Sequence, residues 1–159
     1  MPESTHPVVV AFDGSDESRA ALTAAARLFA DRPLLIVTVC EPALALVAQS
    51  YPDPMTGSYV MPTPEMTATV ERSQREHAEA TADAGARLAR TLGAEAEPLA
   101  IADGDIAGAI GSVAEERDAA ALVVGSRGLG AIKSKLFGST SRRLLHESQR
   151  PVLIVRAVQ

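Results

Sequence analysis

The chain is short of cysteine and of aromatic residues, and each shortage closes off a class of protein. Cys40 is the single cysteine among 159 residues, so neither an intramolecular disulfide nor a multi-cysteine metal centre can form. Aromatic residues make up 3% of the chain and tryptophan is missing, which leaves no platform for stacking nucleic-acid bases. His6, His77 and His146 stand far apart, with no metal-ligand spacing and no Ser-His-Asp arrangement; His6 falls in a start expected to be disordered. No apolar run is long enough to span a bilayer, and the Met-Pro-Glu-Ser start lacks a basic region followed by an apolar stretch. Positive charge is in deficit: 15 Lys and Arg against 20 Asp and Glu give a formal net charge of -5, a poor balance for nucleic acid or an anionic membrane. These absences together lead to the expectation of a cytoplasmic protein with no nucleic-acid and no membrane partner.

What is present is a 47% hydrophobic composition in a length that suits one domain, 1–159, able to close a core without disulfides. That core must be built from Ala, Val, Leu and Ile, which suit helices packed closely on a sheet. Five short apolar runs punctuate the chain: Val8–Phe12, Leu34–Cys40, Pro98–Ile101, Ala120–Val124 and Val152–Val158. They are nearly continuous rather than alternating, as expected of strands buried on both faces of a parallel sheet; Pro98–Ile101 carries the weakest pattern.

Helical spacing fills the gaps. Leu22, Ala25, Ala26 and Phe29 follow the i, i+3, i+4, i+7 pattern, with Ser15 or Asp16 as N-cap. Ile106, Ala109, Ile110 and Val113 repeat it after Gly104. A long helix is predicted from about Pro64 to Leu92, stopped by Gly93, and a short one from near Ser139 that ends before Pro151. The order β-α-β-α-β-α-β-α-β predicts a doubly wound α/β domain with right-handed crossovers. Residues 41–63, with Pro42, Pro52, Pro54, Pro62, Tyr51, Tyr59 and Gly57, break the rhythm; they read either as a lid or partner contact, or as a plain connection.

Chemistry concentrates in one segment. The strand at Ala120–Val124 runs into Gly125-Ser126-Arg127-Gly128-Leu129-Gly130, and Gly138-Ser139-Thr140-Ser141 then opens a helix. Glycines at a strand end let backbone approach a ligand closely, and a helix N-terminus offers free N–H groups and a partial positive charge suited to phosphate. Between Gly125 and Arg143 stand Arg127, Lys133, Lys135, Arg142 and Arg143 with no acid, a third of the chain's basic residues. An ordinary glycine loop with a solvated basic face remains the alternative. The segment is neither a P-loop nor the G-x-G-x-x-G dinucleotide fingerprint.

The spacing Gly125-x2-Gly128-x9-Gly138-Ser139 matches the G-x2-G-x9-G-[ST] signature, and the chain resembles the ATP-binding branch of the universal stress protein family. The flanking stretches VVVAFDGSDESRAAL, LLIVTVCEP, LVVGSRG and RPVLIV carry the same resemblance, which covers nearly the whole chain except 41–63. It implies a five-stranded parallel sheet in the order 3-2-1-4-5 with helices on both faces, a fold like that of the adenine nucleotide alpha hydrolases. The first and fourth strands are then neighbours, and Asp13 and Gly125 face one crevice at their carboxyl ends, where open α/β sheets bind ligands.

The resemblance also implies residue roles. Ala11 and Asp13 end the first strand beside the nucleotide, Asp13 with a part in holding Mg²⁺; the same Asp13-Gly14-Ser15-Asp16 run also suits a turn and helix cap. Val39 turns its backbone to the adenine, though by sequence pattern it is a core valine. Gly125, Arg127, Gly128, Gly138, Ser139 and Thr140 hold ribose and phosphates, and Ser126 and Gly130 add backbone contacts; Arg127 as a solvent-facing residue is the competing reading. Cys40 is expected to be a small core residue. The last strand, Val152 to Val158, is implied to pair two copies in a homodimer. The functional expectation is ATP-dependent regulation. A slow ATPase or nucleotide-using transferase and a dimeric adaptor with an empty site are the alternatives.

Overall fold

The computed structural model describes residues 6–43, 55, 62–129 and 137–157. Strands β1 (Val8–Ala11), β2 (Leu34–Cys40), β3 (Ala96–Ala102), β4 (Ala121–Gly125) and β5 (Val152–Val155) alternate with helices α1 (Asp16–Leu28), α2 (Pro64–Thr91), α3 (Ile106–Glu116) and α4 (Ser139–Glu147). The strands form one sheet in the order β3-β2-β1-β4-β5, and every pairing is parallel.

The run of apolar residues in β1 is explained by two cores. Val8 and Val10 point to one face, where Ala21, Leu22 and Ala25 of α1 and Ala86 and Ala89 of α2 cover them. Val9 points to the other, against Ile110, Val113 and Ala114 of α3 and Leu144 of α4. Alternate side chains of a strand leave on opposite faces, so a strand covered on both sides must be apolar throughout. The alanine-rich helices allow this close approach: most of the side chains that α1 and α2 bury are alanines.

Local chemistry sets the helix ends. Ser15 caps α1, accepting the Ser18 amide at 3.1 Å, which settles the choice between Ser15 and Asp16. Thr63 caps α2 by accepting the Met66 amide at 3.2 Å, and Pro64 follows in the first turn. Gly93 takes a φ of 87° just past the end of α2, a left-handed conformation suited to glycine.

Several expected bounds shift. β3 starts at Ala96 and runs to Ala102, so the weakest apolar run is a full edge partner of β2. β1 ends at Ala11, one residue before Phe12, whose amide still bonds to the Val37 carbonyl of β2 at 2.9 Å. β4 ends one residue later than expected, on Gly125, which pairs with Val155. β5 stops at Val155, and Val158 lies outside the described residues. So do Gly130, Lys133, Lys135 and most of 41–63, including Tyr51 and Tyr59. His6, expected in a disordered start, is held: its Nδ1 lies 2.9 Å from Asp118 Oδ2, and its carbonyl accepts Arg32 Nη1 at 3.2 Å. Among the described residues no helix is long and apolar enough to cross a membrane.

Candidate functional site

In this strand order the chain winds one way from β1 to β3 and the other way from β4 to β5. The crevice at such a reversal opens at the carboxyl ends of β1 and β4. Three segments meet there: the turn after β1, the glycine loop after β4, and the start of α4.

Asp13 ties the first two together. One carboxylate oxygen accepts the Ser15 amide at 2.9 Å, closing the turn into α1; the other accepts the Leu129 amide at 3.0 Å, holding the glycine loop. The turn-and-cap reading of Asp13-Gly14-Ser15-Asp16 holds, and the same Asp13 side chain also ties the turn to the glycine loop. Burial pushes the Asp13 pKa up, but hydrogen bonding from Ser15, Leu129 and Ser18 overrides it and holds the carboxyl below its ordinary value. Gly128 sits directly against this carboxylate and is exposed on its other side.

The loop is joined to α4 by backbone. The Gly138 amide donates to the Ser126 carbonyl at 2.6 Å, and the buried Ser141 hydroxyl donates to the same oxygen at 3.0 Å. Gly138 is the N-cap of α4 and supplies no side-chain cap. Among the described residues no side chain caps the first amides of α4, at the helix's positive end beside Gly128. Ser139 is exposed and Thr140 half-buried at this opening. The arrangement fits an anion: free N–H groups, two glycines without side chains to obstruct approach, and hydroxyls alongside.

Ala11 and Val39 are half-buried near the carboxyl ends of β1 and β2, on the face covered by α3 and α4. Cys40 is also half-buried rather than a full core residue, because it ends its strand.

The structure reassigns three features of the segment. Gly125 is buried, and a Cβ there would stand 2.8 to 3.0 Å from the backbone and Cβ of Glu17; its missing side chain makes room for the first turn of α1. Arg127 is neither free nor solvent-facing: Nη2 donates to Glu17 Oε1 at 3.0 Å, with the guanidinium about one quarter exposed. Arg143 is committed as well, bridging Asp105, the cap of α3, and Glu147. The basic character of the segment is therefore partly neutralised by acids from elsewhere in the chain.

Glu17 is the residue that sequence reasoning missed. It is 8% exposed and accepts three donors: Ser126 Oγ at 3.1 Å, Arg127 Nη2 at 3.0 Å and the Ala157 amide at 2.6 Å. Burial raises its pKa, while bonds from Ala157, Arg127 and Ser126 more than offset this and leave it lowered. The available signal was helical spacing: Glu17, Ala21 and Ala25 stand at i, i+4, i+8, placing an acid on the buried face of α1. Among the described residues no group of three or more His, Cys, Asp or Glu is placed to hold a metal ion.

Comparison with known proteins bears on the family and the fold. The model of the universal stress protein family matches residues 4–156. Universal stress protein YxiE of Bacillus subtilis (strain 168) is 32% identical over 149 residues, covering 94% of this chain and 97% of that protein. A universal stress protein solved in complex with cAMP is 26% identical with a TM-score of 0.61, covering 96% of this chain and 98% of that one. The universal stress protein of Archaeoglobus fulgidus, solved in complex with dAMP, shares the fold at 24% identity and a TM-score of 0.59, covering 94% of this chain and 97% of that one.

Proposed function

This chain belongs to the universal stress protein family, and we propose that it is a regulatory module that binds ATP in the crevice between Asp13 and the start of α4. The observation that carries the reading is the meeting of Gly128, Gly138 and the uncapped amides of α4 beside the Asp13 carboxylate. That cradle suits a polyphosphate, because the amides at the start of α4 carry no side-chain cap and Gly138 and Gly128 put no side chain in front of them. Similar solved proteins that hold cAMP or dAMP support an adenine nucleotide.

In this reading Gly128, Gly138, Ser139 and Thr140 bind phosphate, Gly130 contributes backbone, and Ala11 and Val39 line the way to the base; Ser126, whose amide and carbonyl are bonded to Val155, Gly138 and Ser141, sets the loop behind them. Gly125 and Arg127 act from behind the loop, through Glu17. Asp13 is the residue that would hold Mg²⁺, since a single carboxylate together with phosphates is that ion's usual donor set. Bound there, it would neutralise phosphate charge. Asp13 would orient the ion while keeping the loop in place.

Binding without rapid turnover is favoured because Arg127 and Arg143, two arginines of this segment, are held by carboxylates. Regulation would act through surfaces, including pairing of two copies along β5 (Val152–Val155), whose outer edge has no strand partner among the described residues. The deciding experiment is calorimetric titration with Mg²⁺ and ATP, native chain against Gly128→Glu. Binding that the variant loses supports the site; no binding by the native chain at millimolar ATP overturns it.

A further inference from the structure

We propose that Glu17 is the positioning residue of the phosphate loop, and that it couples the loop to the chain leaving β5. The proposal rests on the nucleotide reading of the crevice. Glu17 touches none of the groups that would meet phosphate. It acts through Ser126.

The connection is a continuous set of hydrogen bonds. The Ala157 amide, two residues past β5, donates to Glu17 Oε2 at 2.6 Å. The same oxygen accepts Ser126 Oγ at 3.1 Å. The Ser126 carbonyl in turn accepts the Gly138 amide at 2.6 Å and Ser141 Oγ at 3.0 Å, which sets the start of α4 against the loop. Arg127 holds the remaining Glu17 oxygen at 3.0 Å and supplies the charge that lets a buried carboxylate stay ionised. Gly125 fixes the distance, because α1 can approach only where β4 ends without a side chain.

Glu17 is therefore an acceptor shared by two segments that do not otherwise meet through side chains. Removing it strands the Ser126 hydroxyl, the Ala157 amide and the Arg127 guanidinium together. Ser126 then keeps its amide on Val155 and its carbonyl on Gly138 and Ser141, but loses the side-chain anchor to α1, and the amides of α4 are held less firmly. Phosphate contacts suffer and adenine contacts do not. By linkage, if holding Ala157 strengthens phosphate binding, phosphate binding holds Ala157 by the same factor.

The test compares the native chain, Glu17→Ala and Glu17→Gln. Each is titrated by calorimetry with adenosine, AMP and Mg²⁺-ATP, and amide exchange is followed by NMR at Ala157 and Gly138. ATP is expected to slow Ala157 exchange about threefold or more in the native chain. Glu17→Ala is expected to lose about tenfold in ATP affinity, with adenosine affinity unchanged and no response at Ala157. Glu17→Gln keeps one acceptor oxygen and should recover part of the loss; if the alanine variant does not fold, a roughly threefold ATP-only loss in Glu17→Gln carries the proposal.

A folded Glu17→Gln with native ATP affinity and a native Ala157 response overturns it. So does an equal loss for adenosine and ATP, which marks a general structural role. If the native chain binds no nucleotide, the nucleotide reading falls separately. The network is then decided without ligand: Glu17→Gln must speed exchange at Ala157 and Gly138 together, and faster exchange at Ala157 alone sinks it.

Discussion

A methyl group placed on Gly128 would stand 2.6 Å from Asp13 Oδ2, the oxygen that accepts the Leu129 amide at 3.0 Å. The glycine and the aspartate are 115 positions apart in sequence, yet a side chain on the one would displace the other. The second glycine of the motif thus serves Asp13 as well as any ligand.

Gly128→Ala should push the Asp13 carboxylate off the Leu129 amide. Stability should fall by roughly 1–3 kcal/mol, the usual cost of overpacking, measured as a lower midpoint of urea unfolding. ATP affinity should fall with it. Gly128→Glu adds charge repulsion and should abolish ATP binding while the far-UV spectrum stays native. A folded Gly128→Glu that binds ATP normally would remove the loop from the binding site.

Asp13→Asn separates structure from metal binding. An asparagine has one acceptor oxygen where the aspartate uses two, so it cannot hold both the Ser15 and the Leu129 amides. The expected loss of stability is about 1–2 kcal/mol. ATP binding should become insensitive to Mg²⁺ in parallel titrations with and without the ion. Retained Mg²⁺ dependence would move the metal ligand elsewhere.

Gly125→Ala should destabilise the chain whether or not nucleotide is present. Its Cβ would meet backbone carbon and oxygen of Glu17 at 2.8 and 3.0 Å, and a helical backbone cannot swing aside like the end of a side chain. A loss of roughly 1–3 kcal/mol is expected. A variant of native stability that fails to bind ATP would instead show the first glycine to be a direct ligand contact.

Acid should weaken the fold through Asp13 and Glu17. Both carboxyls have folded pKa values below their ordinary ones. Their contribution is complete above the unfolded carboxylate range of about 4 and is lost as pH falls through the lowered folded values. The melting temperature should therefore drop steeply below about pH 4. Glu17→Gln, starting lower, should show a shallower acid limb. Parallel limbs would mean that Glu17 is not among the groups responsible.

Much of the fold is legible along the chain because its signals are local. A strand buried on both faces must be apolar at every position, and Val8–Val10, Leu34–Val37 and Ala121–Val124 are. Caps, glycine stops and helical spacing are set within a few residues. The glycine motif was legible too, since its spacing lies in one segment. The edge strand β3 was blurred because exposed positions such as Glu97 and Pro98 dilute the apolar pattern at a sheet's rim.

By itself, then, the sequence determined the β/α order, the two-faced burial of the sheet and the segment carrying the glycines and hydroxyls. Only the tertiary structure decided how those groups are used. Arg127 is bound because α1 carries Glu17 110 residues away to meet it, and Gly125 is a glycine because α1 needs the space. His6 is held because Asp118, 112 residues away in sequence, lies beside it in space. Partnerships of this kind depend on which strands lie side by side, and strand neighbours are chosen by the packing of the whole sheet, not by the residues next to them in the chain.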